Sequence, residues 1–194
     1  MKLETFFKEI ENSNEAFALM SKPEKRVQIA KDVIVRIRLD NISAYPGDVV
    51  RIPKEIREEK AKQSLKKYLN SENVQCIACA KGALFCTFVG RVNEFLVGDA
   101  NVENYVTDRI HQKLLDIFSL NQLALIETAF EGHKYLRAKV SPKELDKAYK
   151  FYNKYEDVFP SGFNLGVSTV KESANKRLIA ICENIIRNKG TFKP

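Results

Sequence analysis

Four times in 194 residues a Ser or Thr heads an apolar-periodic run with Glu or Gln three places on. The pairs are Ser21 with Glu24, Ser119 with Gln122, Ser141 with Glu144 (preceded by Pro142), and Thr169 with Glu172. The first four N–H groups of a helix lack intrahelical acceptors. This spacing supplies acceptors from the hydroxyl and from the returning carboxylate or amide. The run Pro23–Asp40 shows what such a start introduces. At about 100° per residue, Val27, Ala30, Val33, Ile34 and Ile37 share an arc of roughly 120°. Lys31, Asp32, Arg36 and Arg38 lie outside that arc. A chain with four such starts is expected to be mainly α. We read residues 1–194 as a single α-rich domain, with residues 1–20 a peripheral N-terminal helix.

The segment from Ser43 to Ile52 breaks the helical pattern. Tyr45-Pro46-Gly47-Asp48 has turn chemistry and Val49-Val50-Arg51-Ile52 is strand-like, so a short β-hairpin or strand is expected near residues 43–52. Further helices are expected over 54–69, 74–92, 102–118 and 120–130, the last closing at Gly132. The run 74–92 is the least polar and belongs at the centre. Residues 159–170 read as a long loop, and a final helix over 171–188 stops at Gly190.

Hydrophobic residues make up 44% of the chain and charged ones 29%, which suits a globular protein and excludes wholesale disorder. No stretch reaches the roughly 18 apolar residues of a membrane span. The opening Met1–Glu9 interleaves charge with apolar side chains and lacks a signal core, so a cytoplasmic location is expected, with reduced thiols. The net charge of +7 is uneven. Residues 76–133 carry 4 Lys/Arg against 7 Asp/Glu, and residues 134–194 carry 13 against 6. A basic C-terminal third favours an anionic partner.

Cys76-Ile77-Ala78-Cys79 has the spacing of a metal or redox pair, but a structural zinc site needs a second pair that Cys86, Cys182, His111 and His133 do not form. Read as a helix, Cys76, Cys79, Ala83 and Cys86 form a small-residue packing strip. Glu127 and Glu131, four apart near His133, could hold a metal, but read better as a solvated acidic face. After Ser141, Lys143, Lys147, Lys150 and Lys154 form one basic ridge, while Leu145, Ala148, Tyr149, Tyr152 and Tyr155 lie opposite. Single-strand binding wants aromatics among the lysines, so nucleic acid is not favoured. The remaining candidate is an anion site where the 159–170 loop meets the last helix. Gly162 and Gly166 loosen the backbone, Ser168 and Thr169 bring hydroxyls to free N–H groups, and Lys171 and Arg177 add charge. It is not a Walker loop, since no Gly-Lys-Ser/Thr follows.

The segments Arg26–Val33 (with Ile29-Ala30-Lys31-Asp32-Val33), Cys76–Phe85 (C-x-x-C-A-x-G-A-x-F), Leu123–Glu131 and Arg177–Ile185 occur in an order that resembles a family of small proteins from phages, prophages and related bacterial genomes. The likeness covers roughly residues 25–190. It implies an accessory, phage-associated protein and carries over no catalytic residue. The expected function is a non-catalytic binding protein, a phage accessory or counter-defence factor that captures an anionic small molecule such as a signalling nucleotide. No cofactor, metal or membrane partner is expected. The alternatives are a helical inhibitor of a host protein and, further off, a metal-dependent hydrolase using His111 and His133.

Overall fold

A computed structural model describes residues 1–47, 50, 52, 54–71, 74–92, 95–99, 112–132, 139–155 and 167–194, with backbone only at residues 99 and 167–171. Its elements in order are α1 (Leu3–Asn12), α2 (Asn14–Leu19), α3 (Lys22–Arg38), β1 (Ile42–Ala44), α4 (Lys54–Glu59), α5 (Leu65–Leu69), β2 (Cys76–Ala78), α6 (Ala80–Val89), a 3-10 turn (Val97–Asp99), α7 (Leu120–Glu131), α8 (Pro142–Lys154) and α9 (Val167–Arg187). The fold is mainly helical, with a two-stranded parallel sheet.

The capping chemistry read from the sequence sets three of the helix starts. The Glu24 carboxylate accepts from the Ser21 amide at 2.8 Å. Glu144 accepts from the Ser141 amide at 3.2 Å while Ser141 Oγ accepts from the Glu144 amide at 3.3 Å. Ser119 Oγ accepts from the Gln122 amide. α3 and α9 lie against one another. The α3 stripe Ile29, Ala30, Val33, Ile34 and Ile37 is buried in the main core with Leu178, Ile181, Cys182 and Ile185 of α9. Each large aliphatic side chain so buried contributes about 1.5–3 kcal/mol. α1 joins through a smaller cluster, Phe6, Phe7 and Ile10 against Val35 and Leu39.

The β element differs in detail from expectation. The strand is Ile42–Ala44, ahead of the Pro46–Gly47 turn, and among the described residues it has no hairpin partner. Val50 and Ile52 are buried but not in a strand, while Val49 and Arg51 lie outside the described residues. β1 instead pairs in parallel with β2, Ser43 opposite Ile77. The Cys76 amide donates to the Asn41 carbonyl and the Tyr45 amide to the Ala78 carbonyl.

The expected helix over 74–92 is therefore a strand followed by a shorter helix. The physical reason lies at Cys79, an extended residue (φ −70°, ψ 178°) whose sulfur accepts from the Gly82 amide as the N-cap of α6. The small-residue strip is split accordingly, with Cys76 on β2 and Ala83 and Cys86 on α6. The expected helix 54–69 is interrupted at residues 60–64, where Ser64 bridges to Leu96. α9 begins four residues earlier than expected. Of the expected helix 102–118, residues 102–111 lie outside the described residues and residues 112–115 are helical.

Candidate functional site

The two strands are parallel, so their carboxyl ends share one edge, and loops leaving that edge are where α/β arrangements gather ligand groups. β1 leads into the Tyr45–Gly47 turn, and β2 leads through Cys79 into the first turn of α6, which carries Lys81. α7 brings Glu127 and Glu131 to the same place. Lys81 Nζ forms an ion pair with Glu127 Oε1, their side chains 4% and 9% exposed. Glu131 accepts the Gly47 amide on both carboxylate oxygens, at 3.2 and 3.0 Å. On the other side of β1, Asn175 Oδ1 of α9 accepts the Ala44 amide at 2.8 Å.

Lys81 stands against two local costs. Burial strips water from its ammonium, and the first turn of a helix is the positive end of the peptide dipole array, where a cation is disfavoured. Glu127 offsets both. The hydroxyls of Ser43 on β1 and Thr128 on α7 are buried without a hydrogen-bond partner among the described residues. Local rules broken in this way are characteristic of functional sites.

Cys79 lies in the same field. Burial pushes its thiol up to about 12, Glu131 and Glu127 push the same way, and the Gly82 amide and Lys81 pull against them. Cys182, on α9, is raised further by burial. All four cysteines are free and buried. Held protonated, the Cys79 and Cys182 thiols are poor nucleophiles and poor metal ligands at neutral pH. Among the described residues no group of three or more His, Cys, Asp or Glu is arranged to hold a metal ion.

Of the residues expected to form an anion site, Gly162 and Gly166 lie outside the described residues. Ser168, Thr169 and Lys171 fall in the first turns of α9, with only their backbone described. Arg177 is placed about 9 to 13 Å further along that helix. It points inward, 5% exposed, donates to the Phe130 carbonyl, and lies over the rings of Tyr152 (4.3 Å) and Phe130 (5.6 Å). His111 and His133 lie outside the described residues. Glu127, read as part of a solvated acidic face, is instead buried by its pairing with Lys81.

The sequence held a signal for that pair. Lys81 is the one charge between Cys76 and Gly90, and Glu127 the one charge between Leu120 and Phe130. Two apolar runs with a single opposite charge each are candidates to meet. Compared with protein-family models, curated proteins and solved structures, the chain matches none of them. No helix among the described residues is long and apolar enough to cross a membrane.

Proposed function

We propose that the chain is a non-catalytic binding protein that captures an anionic small molecule, a signalling nucleotide being the first candidate, as an accessory or counter-defence factor of a phage. The observation that carries this reading is the outward basic face of the C-terminal third: Lys143, Lys147, Lys150 and Lys154 of α8 are all exposed. The anion is taken at the start of α9, the positive end of a helix whose first turns include Thr169 and Lys171, and the α8 ridge raises its local concentration. The test is a panel of fluorescent nucleotides titrated into the native protein and into the double variant Thr169→Ala, Lys171→Glu. Binding lost in the variant supports the reading. Binding absent from the native chain, or unchanged in the variant, overturns it.

A second reading, a helical inhibitor of a host protein, is favoured by one feature. An open cleft of about 520 Å³ lies between α1 and α5, walled by Glu4, Phe7, Lys8, Lys66, Lys67 and Asn70 among others. A complex captured without nucleotide, stable in moderate salt and lost on charge reversal at Lys66 and Lys67, would select this reading over the first.

A further inference from the structure

Two cysteines that the binding function leaves unused face one another. Cys76 on β2 and Cys86, two turns into α6, place their sulfurs 3.3 Å apart, with the residues 3% and 1% exposed. A disulfide holds its sulfurs at about 2.05 Å, so closing the gap needs a movement of little more than an ångström. The chain between them is short and already folded back, since Cys79 caps the helix that returns Cys86 over the strand.

A buried cation stands beside the pair. Arg36 is 1% exposed and, among the described residues, hydrogen-bonds to neutral acceptors: Asn41 Oδ1 at 2.7 Å, the Leu69 carbonyl at 3.2 Å and Asn70 Oδ1 at 2.6 Å. Burial pulls its guanidinium down to about 10, with Asp32, Cys86 and Cys76 acting in the opposite sense. The Cys86 thiol is held up by its hydrogen bond with Cys76 and by burial, and Arg36 is the charge that pulls it back. A thiolate formed here during a local opening meets a positive charge whose hydrogen-bond partners among the described residues are neutral. Cys79 is in the contrary setting, against the Glu127 and Glu131 carboxylates.

We propose that Cys76 and Cys86 form a reversible intramolecular disulfide, a redox clasp between β2 and α6, with hydrogen peroxide as oxidant. One thiolate attacks the peroxide oxygen, breaking the O–O bond to give a sulfenic acid, and the departing oxygen leaves as water after taking up a proton. The second thiol then attacks the sulfenic sulfur, forming the S–S bond and releasing a second water. Overall the two thiols lose two hydrogens and the peroxide is reduced to two waters. Oxidation passes through local opening, so it is slow beside that of an exposed thiol. The clasp is independent of the anion-binding reading.

The test uses the native, reduced full chain treated with hydrogen peroxide, then unfolded, alkylated and weighed intact. Two alkyl groups in place of four, with loss of two hydrogens, are expected, and dithiothreitol restores four. Trypsin cuts after Lys81, so the link appears as a joined pair of peptides, residues 68–81 with 82–91. The Cys79→Ala variant keeps this pair and Cys76→Ala loses it. Should Cys76→Ala fail to fold, fragmentation of the wild-type peptide pair assigns the sulfur. A link through Cys79 or Cys182, a disulfide dimer, irreversible oxidation, or four free thiols under peroxide that oxidises the unfolded chain would each overturn the proposal.

Discussion

Arg91 Nε donates to Asp32 Oδ2 at 2.6 Å, and the two side chains are 2% and 5% exposed. The residues come from α3 and from just beyond α6, so this contact ties the first long helix to the central one. Further contacts hold the pair. Gln28 Nε2 donates to the other Asp32 oxygen at 2.9 Å, Arg91 Nη1 donates to Ser13 Oγ, and the guanidinium lies 4.8 Å from the Phe17 ring. Removing one partner leaves a charge stranded out of water. Asp32→Ala is expected to lower stability by about 3–5 kcal/mol in urea denaturation. The double change Asp32→Leu, Arg91→Met should lose less than the two single changes summed.

The Lys81–Glu127 pair behaves alike in stability and differently in function. Lys81→Met and Glu127→Gln each strand or weaken one buried partner, for a loss of up to about 3–5 kcal/mol. Lys81→Met combined with Glu127→Leu restores much of that loss. If the strand-end site takes part in recognition, the doubly substituted protein melts near the wild-type temperature yet no longer binds. Calorimetry and titration on one sample separate the two effects.

Glycine at 190 is fixed by two independent constraints. Its φ is +89°, and a Cβ there would stand 2.4 Å from the Pro23 carbonyl oxygen. Gly47, at φ +86°, has open space around it. Gly47→Ala therefore meets only the backbone penalty, about 1 kcal/mol, while Gly190→Ala adds displacement of the α3 start and should cost about 2–3 kcal/mol or more. Thermal melts of the two variants rank them.

Alkaline pH should destabilise the fold through its thiols. Cys79 ionises near 12 in the folded chain, and Cys86 and Cys182 are also raised, against 9.0 when unfolded. Below pH 9 both states hold these protons and nothing is lost. Above it the unfolded chain releases protons that the native one keeps, so stability falls by up to about 1.4 kcal/mol per pH unit for each such thiol, until the folded group ionises as well. Urea midpoints measured from pH 8 to pH 11 should decline, and Cys182→Ala should decline less steeply.

The helix starts were legible at Ser21, Ser119 and Ser141, where a cap and an apolar period agreed, whereas Thr169 falls inside α9, which begins at Val167. Both signals are local and need no partner. β2 was hidden because Cys76-Ile77-Ala78 continues without a polar break into Ala80–Val89, and periodicity cannot divide a fully buried run. Its identity as a strand comes from Ile42–Ala44, more than thirty residues away. Glu127 was misread for a related reason. A carboxylate four places from Glu131 looks solvated until a lysine from another apolar segment is brought against it. The lysine ridge of α8 needed no such partner, and all four of its members are exposed as expected.

The parallel pairing of β1 with β2 also bears on the order of assembly. Three residues per strand cannot hold together unaided, and no tight turn brings them side by side. Their contact has to wait until α3, α6 and α9 have closed round them. The edge on which Lys81, Glu131 and Gly47 converge is thus a late product of collapse. A kinetic intermediate rich in helix, arrested before that step, would give much of the native far-ultraviolet signal while the Lys81–Glu127 and Glu131–Gly47 contacts were still unmade.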